Sequence, residues 1–74
     1  LQEALGDRAG LAVTLHNMGF VALAQGELET ALAFFLRSRD TYHAIGLSKD
    51  VQEEEEIIAG IRAELGRRNQ QHPD

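Results

Sequence analysis

The stretch 17-NMGFVALAQGELETALAFF-35 decides the fold. It reads as helix on both sides of Gly26, with a second glycine, Gly19, inside the first helical pattern. A glycine in a helix interior costs about 1 kcal/mol relative to alanine, so a compensating contact is expected there. Working outward at helical periodicity, Leu11, Leu15, Met18 and Ala22 form one apolar stripe. Leu28, Ala31, Leu32, Phe35, Tyr42 and Ile45 form a second, and Val51, Ile58, Ile61 and Leu65 a third. Breaks fall near Gly6-Asp7, Gly26 and Gly46-Ser48, with Asp7 and Ser48 as expected N-caps and Gly26 and Gly46 as expected C-terminal stops. No stretch alternates with period two for long enough to make a strand. The pattern predicts an all-α fold.

The chain has 74 residues, a net charge of -5, one proline and no cysteine. A chain this short buries only roughly 60% of its unfolded surface, and disulfides are not available to help. The acidic balance argues against nucleic acid, which is met by basic patches. No apolar run approaches the roughly 20 residues of a membrane span. The sequence starts at Leu1 without methionine, which suggests a processed chain or a piece of a longer one, and the expected compartment is the cytoplasm.

The segment 5-LGDRAGL-11 is echoed 40 residues later by 45-IGLSKDV-51, pairing Leu5, Gly6 and Leu11 with Ile45, Gly46 and Val51. Two helices per 40-residue unit is a helical-repeat pattern. Leu15, Met18, Gly19, Ala22, Gly26, Ala31 and Phe35 sit at the spacing of a tetratricopeptide repeat, which this chain resembles over residues 9–46. Departures are Leu15 for the usual tryptophan, Ala22 for the usual tyrosine, Ser38 for a late alanine, and no helix-ending proline. The resemblance is to the 40-residue variety of bacterial regulatory ATPases, transcriptional regulators and kinesin light chains. It implies a helical hairpin over 9–46 whose helices cross closely at Gly19 and Ala31, with Gly19 on a solvent face as the alternative. Residues 1–8 are then the tail of a preceding repeat or an extension, and 47–66 a capping helix or the first helix of a following repeat. Residues 67–74 are expected to be a disordered polar tail.

Val13, Phe20 and Ala24 lie together on the side of the first helix opposite Leu15 and Met18, flanked by His16, Asn17, Val21 and Leu23. A helix apolar nearly all round expects neighbours on more than one side. The resemblance implies a groove here, with Val13, His16, Asn17, Phe20, Leu23 and Ala24 as partner-binding residues and Val21 facing an adjacent repeat. An amide both donates and accepts, so Asn17 suits an extended peptide main chain; its alternative is a bond within its own fold. His16 is a groove contact or a plain surface histidine. Phe20 is an anchor or packs internally against the third helix. The carboxylate-clamp members of the family use a basic residue and an asparagine where this chain has His16 and Phe20, which argues against recognition of an acidic C-terminus.

In 50-DVQEEEEIIAGIRAEL-65, four consecutive glutamates cannot all face water, and Glu54 shares a stripe with Val51, Ile58 and Ile61. Its charge suits a helix N-terminus and its stem can snorkel; the alternative is an acidic patch that receives a basic partner. Gly60 offers another possible close helix approach. His16, His43 and His72 have no metal-ligand spacing, no phosphate loop occurs, and no catalytic constellation is present, so no enzyme, metal or cofactor is expected. The expected function is non-catalytic binding of a protein or peptide. The alternatives are homo-oligomerisation, in which copies complete one another's solenoid, and a structural spacer; the isolated chain, with about one and a half repeats where three or more are usually needed, is expected to self-associate.

Overall fold

The computed structural model describes residues 4–70. It contains three helices and no strand among the described residues: α1 Ala4–Ala24, α2 Leu28–Ala44 and α3 Ser48–Gln70. α1 and α2 form a hairpin, and α2 also packs against α3, giving an elongated slab of 54 × 21 × 14 Å.

Both turns are built the same way. Gly26 and Gly46 have φ of 79° and 77°, the left-handed conformation that a side chain disfavours. After α1, the Gly26 N–H donates to Leu23 O and the Glu27 N–H to Ala22 O; after α2, Gly46 donates to His43 O and Leu47 to Tyr42 O. These are paired Schellman bonds, and they satisfy carbonyls that a helix end would leave bare. Glu27 and Leu47 then turn round at once: their carbonyls accept from Ala31 and Val51 in the next helix. The second turn therefore places Leu47, not Ser48, at the cap position, and Ser48 is already helical.

The expected break at Gly6-Asp7 does not occur. α1 runs from Ala4 through both residues, so Asp7 lies in its first turn rather than at an N-cap. Gly6 lacks the positive φ of the two turn glycines, and one glycine in a helix is too small a cost to force a turn. The segment 1–8 is thus joined to the first helix from Ala4 on. At the other end α3 continues through Gln70, so residues 67–70 of the expected polar tail are helical, and 71–74 lie outside the described residues. Arg67 and Arg68 both reach Glu64 one turn back, the latter at 3.5 Å.

The core runs along the hairpin and under α3. Ala22, Ala31, Phe35, Ile58 and Ile61 form it, with Leu23, Leu28, Leu32, Leu36, Ile57 and Leu65 packed round it. Gly19 faces Phe35: a Cβ built there would lie 2.7 Å from the ring. Beyond it, Ser38 is fully buried and its hydroxyl donates to the Ala12 carbonyl at 2.9 Å. Small residues at Ala12, Gly19, Ala31 and Ser38 let the helices approach, and burial of Phe35 offsets the helix penalty of Gly19 by about 1.5–3 kcal/mol. The buried stripe of α1 is Ala12, Leu15, Gly19 and Ala22. Leu11 and Met18, expected in it, are 47% and 44% exposed. Gly60 has open space beside it and makes no close approach.

Candidate interaction face

Spacings of three, four and seven residues keep Val13, Asn17, Phe20 and Ala24 on one side of α1. All four are exposed, Val13 at 47% and Phe20 at 45%. Leu23 does not join them: it is half-buried against the core. His16 does not join them either. It is half-buried, and its Nδ1 lies 2.6 Å from Glu54 Oε2 on α3.

Phe20 is exposed on top and packed beneath. Its ring stands edge-on to His16 at 4.9 Å and to Phe35 at 5.0 Å, and His16 stands edge-on to Phe35 at 5.7 Å. Phe20 thus packs internally against Phe35 of α2. Edge-to-face pairs at these distances add about 0.5–1.5 kcal/mol beyond burial. The rings of His16 and Phe35 hold Phe20 from beneath, and its outer edge is left as exposed apolar surface.

Glu54 lies on the stripe of Val51, Ile58 and Ile61, as expected, but its head group does not reach solvent. It does not snorkel: it is 1% exposed, while Glu53, Glu55 and Glu56 face solvent. Oε2 meets His16, and Oε1 is buried with no hydrogen-bond partner. Burial pushes its carboxyl above the ordinary glutamate range; the hydrogen bond and charge of His16 pull it down, and Glu53 and Asp50 push it up. Tyr42 is raised too, by its burial first and then by Asp50, Glu54 and Glu53. The signal for the pair was available. Glu54 lay on an apolar stripe, and His16 lay between the hairpin and the open side of α1, so each polar group needed a partner.

Among the described residues no group of three or more His, Cys, Asp or Glu side chains could hold a metal ion, and no helix is long and apolar enough to cross a membrane. Comparison with protein-family models, curated proteins and solved structures finds no match to this chain.

Proposed function

We propose that the chain is a non-catalytic protein-interaction module of the tetratricopeptide type, which binds a peptide or helix of a partner along Val13, Asn17, Phe20 and Ala24. The observation that carries this reading is Phe20, a large aromatic 45% exposed yet fixed from below by two rings. Rigid aromatics at the centre of a patch supply much of the energy of interfaces. Asn17, one turn before Phe20 and exposed, offers a donor and an acceptor to a peptide main chain. His16 acts from behind the face, holding the ring and bonded to Glu54, and Leu23 belongs to the scaffold. The proposed setting is the cytoplasm, with which a cysteine-free chain is compatible.

The test is selection of binders from a random-peptide display library on the immobilised full chain, followed by titration of the selected peptides against variants. Phe20→Ala is expected to weaken them by at least about 10-fold, a hot-spot loss. Asn17→Ala is expected to weaken them by a smaller factor, and far-UV circular dichroism should stay unchanged in both. Equal affinity for parent and both variants, or no enriched peptide, sinks the reading.

A further inference from the structure

The His16–Glu54 bond fixes how α1 and α3 lie side by side. Both helices pack antiparallel to α2, so they run the same way, and His16 Nδ1 meets Glu54 Oε2 at 2.6 Å. From that contact each residue advances about 1.5 Å along its helix and about 100° round it. On α1 this puts Phe20 and Val13 about 40° and 60° round from His16, and Asn17 about 100°. On α3 it puts Asp50 and Ile57 about 40° and 60° round from Glu54 in the opposite sense, and Glu53 and Gly60 about 100° and 120°. Opposite senses on two parallel helices open onto the same side. Burial agrees: the residues turned the other way, Ala12, Leu15 and Gly19 of α1 and Ile58 of α3, are all buried.

The Phe20 face therefore has a second wall, which α3 supplies. Ile57 is half-buried against the core, and Gly60 is exposed with open space where a side chain would stand. About 10 Å toward the helix N-termini the wall turns acidic, with Asp50 half-buried and Glu53 exposed. Burial is the first cause that raises the Glu54 carboxyl and the Tyr42 hydroxyl, and the charges of Asp50 and Glu53 raise both further. The carboxyls thus share one neighbourhood. Ion pairs among the described residues join His16 to Glu54, Arg39 to Asp40, and Arg67 and Arg68 to Glu64, leaving Asp50 and Glu53 out. Beneath them Glu54 Oε1 is buried without a hydrogen-bond partner. Across the groove Val13, Asn17, Phe20 and Ala24 bring no charge, and Lys49 and Glu56, further round α3, bring one of each sign.

We propose that the occupant of the Phe20 face is a basic segment of a partner protein. One apolar side chain lies between Phe20 and Ile57 over Gly60, and a lysine or arginine about 10 Å along the groove meets Asp50 and Glu53. The inference rests on the reading of Phe20 as an anchor and adds the chemistry of the partner. An acidic segment is repelled by such a wall, and a second copy of this chain, with its net charge of -5, is a poor match for it.

The test pans two peptide display libraries of equal length on the full chain. Both vary their apolar positions; one carries lysine and arginine at its charged positions, the other aspartate and glutamate. Binders should come from the basic library and lose at least about 10-fold on Phe20→Ala. Asp50→Asn/Glu53→Gln should weaken them by about three-fold or more. The charge-matched Glu29→Gln/Glu55→Gln, at exposed positions outside both walls, should change them by less than about two-fold. Raising salt from about 0.05 to 0.5 M should weaken binding to the parent more than to the Asp50→Asn/Glu53→Gln variant. Binders that need Phe20 but come from the acidic library, or that respond equally to the two double variants, overturn this inference and leave the Phe20 reading standing. Binders indifferent to Phe20, or none from either library, overturn both.

Discussion

At Glu54 a carboxylate is buried with one partner, and the balance of effects on it sets a stability signature. Desolvation outweighs the pull of His16, so the folded state holds the Glu54 proton more tightly than the unfolded chain does. Glu54 therefore contributes most at and below its ordinary value of 4.5, and its contribution falls as pH rises through the raised folded value. The groups facing it are His16 from α1, Tyr42 from α2, and Asp50 and Glu53 from its own helix. Glu64, exposed and bonded to Arg67, is shifted the other way. Glu54→Gln keeps an acceptor for His16 and removes the buried charge. It is expected to raise stability at neutral pH by about 1 kcal/mol, the scale of one hydrogen bond or desolvation step. His16→Ala strips the carboxylate of its partner and should cost about 3 kcal/mol, as when one member of a buried pair is deleted. Urea denaturation of parent and variants from pH 4.5 to neutral checks both. If the parent does not gain on Glu54→Gln as the pH falls, the account of the buried carboxylate is wrong.

Gly19 and Gly60 are both interior helix glycines, and the sequence reading gave each a close approach. Alanine at either gains about 1 kcal/mol of helix propensity. At Gly60 nothing stands in the way, so Gly60→Ala should stabilise the chain by about 0.5–1 kcal/mol. At Gly19 the new methyl meets the Phe35 ring at 2.7 Å. That ring is fully buried and held by His16 and Phe20, so it cannot move aside cheaply. Overpacking costs about 1–3 kcal/mol, and Gly19→Ala should therefore come out destabilising despite its propensity. Thermal melts of the two variants should move in opposite directions; shifts of one sign would show that Gly19 is not at a tight crossing. The turn glycines were legible in sequence because a stop signal is local: glycine supplies the positive φ at Gly26 and Gly46 without help from neighbours. Gly60 was not, because close approach depends on a second helix that periodicity does not locate. Leu11 and Met18 were misassigned for a related reason. Periodicity says which residues share a side of α1, and the residue sizes at Ala12 and Gly19 decide which side α2 can reach.

On the scale of the whole molecule, the three-helix order and the hairpin were readable, since each stripe reports an element and Gly26 and Gly46 mark the boundaries between them. The exposed face of α1 was readable only in part. Val13, Asn17, Phe20 and Ala24 were placed by spacing alone, whereas His16 and Leu23 were claimed from it by contacts with α3 and the core, residues distant in sequence. The same long-range contacts decide cooperativity. Ile58 and Ile61 belong to the one core with Ala22, Ala31 and Phe35, and Ile57 and Leu65 cover its margin. A slab 14 Å across its thinnest dimension has no second layer to replace them. Ending the chain after Gly46 removes these four side chains and uncovers Leu23, Leu28, Leu32 and Leu36. At roughly 1.5–3 kcal/mol for each large apolar side chain, the loss is comparable with the whole stability of a domain, about 5–15 kcal/mol. Residues 1–46 alone should therefore show reduced far-UV ellipticity per residue and a broad urea transition, with amide exchange in α2 faster than in the full chain. A sharp transition at the full-length midpoint would mean that the hairpin is the folding unit and that α3 only rests on it.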